Sequence, residues 1–179
     1  MVSRLLDVFG GAAHKRSMSD SASDLKSDLA ADLANDLGKS KSRIHEYPLT
    51  ILESHLDTFG HVNNAVYLQL FEQSRWEIIT DGGYGLKEVH LLQVGPTVLD
   101  IHMQFKRELK LREKVTIRSW ITSTSRKTMT MRQVMIKSLG TADEQEACRA
   151  DFVIGLFDLK ARKLVEPSSQ WLQAIGINS

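Results

Sequence analysis

The chain lacks most of the devices that hold small proteins together by covalent or metal bonds. It has a single cysteine, Cys148, among 179 residues, which excludes an internal disulfide and a cysteine-rich zinc site. The six histidines show no paired ligand spacing with it, so no metal is expected. No glycine-rich phosphate loop is present, and no cofactor is expected. No apolar run approaches the roughly 20 residues that span a bilayer, so no membrane span is expected. Neither sign of charge is in excess: 23 basic against 22 acidic residues leave a formal net charge of +1. Bulk electrostatics therefore nominates no nucleic-acid partner. What the chain does have is 42% hydrophobic and 25% charged residues, the composition of a globular domain with ample core. Cys148 lies in "ACRADFVIG", a strand-like setting in which a buried structural thiol is expected.

Residues 1–43 differ from the rest. They are rich in Ser, Ala and Asp, lack proline, and contain one aromatic residue, Phe9. Leu25, Leu29, Leu33 and Leu37 recur every fourth position, as do Asp24, Asp28, Asp32 and Asp36. That spacing draws a narrow apolar ridge on a helix, marginal by itself because short helices need packing to persist. The segment is expected to be an extension, helical or partly disordered, ahead of a domain over 44–179. Residues 1–18 carry Arg4, Lys15 and Arg16 but break their apolar stretch at Asp7 and Gly10-Gly11. That is not a secretory signal. The chain is expected to be cytoplasmic, with an organelle presequence over 1–18 as the alternative.

From Ile44 the pattern becomes regular. "EYPLTILES" is extended in character and predicts a first strand. From Asn64 to about Thr80 a wide apolar arc predicts a helix buried on more than one side, ended at Asp81-Gly82-Gly83. Then the period changes to two. Leu99, Ile101, Met103 and Phe105 alternate with Asp100, His102 and Gln104, which predicts a half-buried strand. In the next stretch Val115, Ile117 and Ile121 share one face, and Thr116, Arg118, Trp120 and Thr122 the other. "TMTMRQVMIK" and "EACRADFVIGLFDL" continue the strand signal, and "SSQWLQAIG" predicts a closing helix. One buried helix against an antiparallel sheet of five strands is an α+β arrangement. Its open sheet edges favour pairing of two copies, so a homodimer or a dimer of dimers is expected.

The polar residues cluster just ahead of the long helix, in "LDTFGHVNNAVYLQLFE" from Leu56 to Glu72. Asp57, Gly60, His61, Val62, Asn63, Asn64 and Tyr67, followed by Phe71, Glu72 and Arg75, match the pattern D-x-x-G-H-V-N-N-x-x-Y and a helical F-E-x-x-R. In this stretch and in the order of elements, residues 44–175 resemble hotdog-fold thioesterases of the 4-hydroxybenzoyl-CoA thioesterase type. The resemblance implies a five-stranded antiparallel sheet wrapped around one central helix. It also implies hydrolysis of acyl-CoA, with Asp57 as nucleophile or as base toward water. The alternatives are a carrier-protein-bound acyl substrate and a non-catalytic acyl-binding or scaffolding role. One departure is visible: many relatives carry a second acid two places before the motif aspartate, where this chain has His55.

The physical logic fits a thioester. Its carbonyl must be polarised, and an oxygen nucleophile must reach the carbon. A helix start offers unpaired backbone N–H groups and the positive end of a dipole. Asp57, His61 and Asn63 are the candidate catalytic residues, with the N–H groups around Asn64 and Ala65 facing the carbonyl oxygen. Gly60, Asn64 and Tyr67 are candidate substrate contacts. Glu72 reads as structural, paired with Arg75 at i+3. For coenzyme A phosphates the resemblance nominates Arg126 and Lys127, in a turn beside Ser125 and Thr128, and more weakly Lys106 and Arg107.

Overall fold

The computed structural model describes residues 30–31, 33–36 and 42–177. The expected presequence over 1–18 and most of the Leu25–Leu37 ladder lie outside the described residues. Of that ladder, Leu33 and Asp36 are described, within a helical segment.

Strand β1 (His45–Thr50) leads through a 3-10 turn (Glu53–His55) and a loop into helix α1 (Asn64–Asp81). A short helix α2 (Leu86–Leu92) follows, then β2 (Val94–Phe105), β3 (Lys114–Thr124), β4 (Thr128–Lys137) and β5 (Gln145–Asp158). A short β6 (Lys163–Val165) and helix α3 (Ser169–Ala174) close the chain. The sheet runs in the order β1-β3-β4-β5-β2, antiparallel at every step, and β6 adds to the end of β5. This is the sheet around a central helix that the resemblance implies.

α1 is held on its inner side by Tyr67, Leu70, Phe71, Ile78 and Ile79, all buried. Phe71 meets Phe152 of β5 edge to face, with ring centroids 5.8 Å apart. The inner residues of β3 and β4, Ile117, Ile121, Met131 and Met135, complete the core. Gly82 ends α1. A side chain there would collide with the Ala174 carbonyl, so glycine lets α3 close over the helix end. Cys148 is buried in the same core, and burial pushes its thiol up to about 12.

Three features differ from expectation. α2 was not expected; it is one short helix, started where the Glu88 side chain accepts the Gly85 N–H at 3.0 Å. The three-residue β6 likewise lies below what periodicity resolves. β2 was expected to be half-buried, yet Val98, Leu99, Ile101 and Phe105 are all exposed. β2 is an edge strand, and its register shifts between Val98 and Asp100. With no strand beyond it and a bulge that turns neighbouring side chains, alternation buries neither face within one protomer.

Candidate active site

The loop before α1 is built by main-chain bonds that fix one carboxylate. The Asp57 N–H donates to the His61 carbonyl at 2.8 Å, and the Gly60 N–H donates back to the Asp57 carbonyl at 3.1 Å. Gly60 has φ +79°, with open space where a side chain would stand. Conformation, not crowding, therefore demands glycine there. The Asp57 Oδ1 atom accepts the N–H of Phe59 at 2.8 Å and of His61 at 3.3 Å. This is an Asx-type turn that leaves Oδ2 without a partner in the loop.

Asn63 caps α1, its side chain accepting the Ala65 N–H at 2.9 Å. The Asn64 side chain accepts the same N–H at 2.9 Å. The expectation that Ala65 would present its N–H to a substrate is therefore corrected: two side chains already occupy it. The Asn64 N–H makes no hydrogen bond among the described residues, and it is the donor left at the positive end of an 18-residue helix.

His61 contributes its backbone to the turn and its ring elsewhere. Nε2 lies 3.0 Å from Glu108 Oε2, and Lys110 pairs with Oε1 of the same carboxylate at 2.8 Å. The hydrogen bond from Lys110 holds the Glu108 carboxyl below its usual range, with His61 adding to it. His55, at the place of the second acid, is structural. Its Nδ1 accepts the Leu52 N–H at 3.1 Å, and its carbonyl takes the Asn63 N–H at 3.0 Å.

A cavity brings these groups together. Asp57, His61, Asn64 and Tyr67 line it with Phe105 and the run Lys106-Arg107-Glu108. Tyr67 is buried, packed edge to face on Phe105 at 5.2 Å, and burial pushes its hydroxyl up to about 12. It stays protonated at neutral pH. Lys106 is tied to Glu146 at 2.9 Å. The exposed Arg107 makes no side-chain ion pair or hydrogen bond among the described residues.

Arg126 and Lys127 are not part of this cavity. Arg126 pairs with Glu166 at 2.7 Å, and Lys127 donates to the Leu164 carbonyl at 3.0 Å. They sit at the far end of β3, whose 11 residues at about 3.3 Å each separate the two places by on the order of 35 Å. The turn chemistry was visible in the sequence, but which end of the sheet it occupies was not. Lys106 and Arg107 carried a usable signal: they end β2, next to Leu109, whose carbonyl takes the Val62 N–H of the loop at 3.0 Å. Glu72 is exposed and makes no ion pair with Arg75, which reaches inward to Gln133 at 2.8 Å instead.

Among the described residues no helix is long and apolar enough to cross a membrane, and no cluster of metal-ligating side chains is gathered.

Comparison with known proteins bears on this geometry. The model of the thioesterase-like superfamily matches residues 52–175. A chloroplastic acyl-acyl carrier protein thioesterase of Arabidopsis thaliana is 32% identical over 88 residues, 49% of this chain. The match spans 46% of that relative, less than half its length. The long-chain acyl-CoA thioesterase FadM of Escherichia coli is 29% identical over 112 residues, covering 61% of this chain and 80% of the relative. Two solved structures share the fold. A hypothetical protein of Staphylococcus aureus, solved in complex with CoA, superposes with a TM-score of 0.68 at 18% identity, covering 75% of this chain and 82% of that one. The probable thioesterase YbaW of Escherichia coli gives 0.64 at 21% identity, covering 74% and 98%.

Proposed function

The chain belongs to the thioesterase-like superfamily, and from that premise we propose that it hydrolyses acyl thioesters, with acyl-CoA as substrate and Asp57 as the group that drives attack on the carbonyl. The observation that carries this reading is a pair of unspent groups on one cavity: the Asp57 carboxylate, pinned through Oδ1 with Oδ2 free, and the unpaired Asn64 N–H at the start of α1.

The chemistry follows. The thioester oxygen sits at the Asn64 N–H, where negative charge develops as the carbonyl carbon becomes tetrahedral. Asp57 takes a proton from water, whose oxygen bonds to the carbon. The C–S bond breaks, and the proton passes to the departing thiolate to give free acid and CoA. In the nucleophilic variant Asp57 bonds the carbon and the C–S bond breaks to release the thiolate; water then cleaves the mixed anhydride, freeing acid and Asp57, and its proton passes to the thiolate. Asn63 acts by fixing the helix start. His61 acts through its main chain, which holds Asp57, while its ring is anchored by Glu108. Tyr67 supplies a neutral wall. Arg107 and Lys106 stand at the cavity as partners for coenzyme A phosphates.

The exposed apolar side chains of the β2 edge favour pairing of two protomers along that edge. In such a homodimer, Arg126 and Lys127 of one copy can serve the site of the other. A second reading, an acyl group delivered on a carrier protein, is favoured by the likeness to the Arabidopsis thaliana relative.

The test is hydrolysis across a series of acyl-CoA chain lengths by wild type and Asp57→Asn. The amide oxygen still accepts the Phe59 and His61 N–H groups, so the fold is kept, and the rate is expected to fall about 100-fold or more. Near wild-type turnover in the folded variant removes Asp57 from the mechanism. Absence of hydrolysis by wild type, with turnover of an acyl carrier protein substrate, transfers the reading to the second substrate.

A further inference from the structure

Beyond Asp57 and Asn64, α1 continues along a second cleft. Glu72, Arg75, Trp76 and Ile79 follow one another at helical spacing and face Met131 and Ile154 of the sheet. The cleft has a volume of about 80 Å³, and Pro96 and Val98 of β2 also line it. Its walls are mostly apolar, with Glu72 on one side and one unusual group within. The Arg75 guanidinium lies 4.1 Å above the Phe152 ring and donates to Gln133 Oε1 at 2.8 Å. Gln133 is fully buried and is itself fixed, its Nε2 donating to Ser119 Oγ at 2.9 Å. A buried relay therefore aims a cation at a largely apolar cleft.

That cation makes no direct ion pair among the described residues. No carboxylate lies within ion-pair distance of Arg75 among the described residues, and Glu72, one turn earlier, acts on it only through space. Burial brings the guanidinium down to about 10, so it remains charged at neutral pH. Of its five N–H donors one is used. A charge taken out of water without a partner is destabilising, and a hydrophobic residue of similar volume would hold the same space at lower cost. Trp171, on another wall of the cleft, also keeps a buried indole N–H with no partner. The donors the cleft itself presents are therefore those of Arg75, and Glu72 is the one carboxylate among its lining residues.

We infer that this cleft receives the far end of the acyl group, and that Arg75 selects acyl groups carrying an oxygen acceptor or carboxylate there over plain hydrocarbon ends. This rests on the thioesterase reading above. From Asn64 to Arg75 is 11 residues, about 16 Å along the helix axis. In this proposal the acyl chain of a thioester bound at the helix start runs along α1, and its terminal oxygen takes the unspent Arg75 donors.

The experiment uses non-hydrolysable thioether analogues of acyl-CoA, matched in length and ending in methyl, hydroxyl or carboxyl. Dissociation constants are measured by calorimetry for wild type, Arg75→Met and Arg75→Lys. Wild type is expected to bind an oxygen-ended analogue roughly tenfold more tightly than the methyl-ended one of equal length. In Arg75→Met the ratio falls toward one, and in Arg75→Lys part of it is kept. Taking the ratio within each variant cancels any general weakening. If wild type shows no preference at any length, or the preference survives in Arg75→Met, the inference is overturned. Should Arg75→Met fail to fold, wild type and Arg75→Lys still decide it: an unaltered ratio in Arg75→Lys counts against a guanidinium-specific site. Hydrolysis of plain acyl-CoA is scored separately. Preference without hydrolysis supports the cleft and removes the thioesterase reading, whereas hydrolysis without preference does the reverse.

Discussion

The two faces of the sheet are made from the same strands and do different work. The inner face is an apolar surface of Ile117, Ile121, Met131, Met135 and Phe152, interrupted by the Ser119–Gln133 pair that reaches Arg75. The outer face is mostly a lattice of charges. Arg132 grips Asp151 through two hydrogen bonds at 2.7 and 2.9 Å, and Arg118 pairs with Glu46 at 2.8 Å. In its midst lie Trp120, Val134 and Ile136, fully buried although they point away from the core. The N-terminal helical segment covers them together with Leu139, just after β4. Leu33 packs on them, and Asp36 accepts Trp120 Nε1 and Arg132 Nη1, each at 3.1 Å. The inner face is thus closed by an element the domain cannot lack. The outer strip is closed in part by one from outside the 44–179 boundary.

That contrast can be broken from either side, and the inner side breaks harder. Phe152→Ala removes a ring from between Phe71 and Arg75 and leaves a cavity beneath a desolvated cation. A loss of about 3–5 kcal/mol is expected, read as a drop in the urea midpoint at unchanged slope. A loss below about 1 kcal/mol would mean that the inner face repacks freely and is no different from the outer strip.

On the outer side, Trp120→Ala exposes a surface covered by two leucines, Leu33 and Leu139, and one carboxylate. About 2 kcal/mol is expected, less than for the inner change because the vacated space opens to water. Removing residues 1–41 should give a loss of similar size, with acyl-CoA hydrolysis kept within several-fold, since Asp57 and Asn64 lie on the other side of the sheet. A truncated chain as stable as the full one would show that Leu33 and Asp36 only rest on the strip. Asp36→Asn is the finer probe. It keeps an acceptor for Trp120 while removing the charge facing Arg132, which retains Asp151, so about 1 kcal/mol or less is expected. A double-mutant cycle with Trp120→Phe isolates the hydrogen bond.

These same contacts divide what the sequence reveals from what it hides. α1 was legible because its start, Asn63-Asn64, and its end, Gly82, are local chemistry, and its apolar arc is long. The turn around Asp57 was legible for the same reason. β3 was correctly split into Val115, Ile117 and Ile121 against Trp120 and Arg118, but nothing local to Trp120 says that Asp36 covers it from 84 residues away. The partner of Arg75 was misread in the same manner. An i+3 neighbour is visible in sequence, whereas Gln133 lies 58 residues on. Arg126 and Lys127 were placed in a turn, but that this turn stands at the opposite end of the protomer from Asp57 was hidden, because strand length and direction must be assembled before ends can be compared. Local bonds are written in the chain; the choice between competing distant partners is made by the fold.

The smallest expected effect lies where the two faces meet, at the β1 edge. His45 sits on the inward side of β1, near Arg43 and the end of α3. Burial, and then the Arg43 charge, lower its pKa below 6.5, while the Ile175 backbone and Asp81 oppose them more weakly. The sign follows from proton counting. The folded state disfavours the imidazolium, so below about 6.5 the unfolded chain binds more protons, and stability declines as pH falls. Above that pH both states carry neutral imidazole and the effect vanishes. Urea midpoints should therefore be flat above the ordinary histidine pKa and slope downward below it, before carboxylates begin to titrate near 4. His45→Gln should remove that upper slope and leave the carboxylate region alone. If the slope survives the substitution, another histidine carries it.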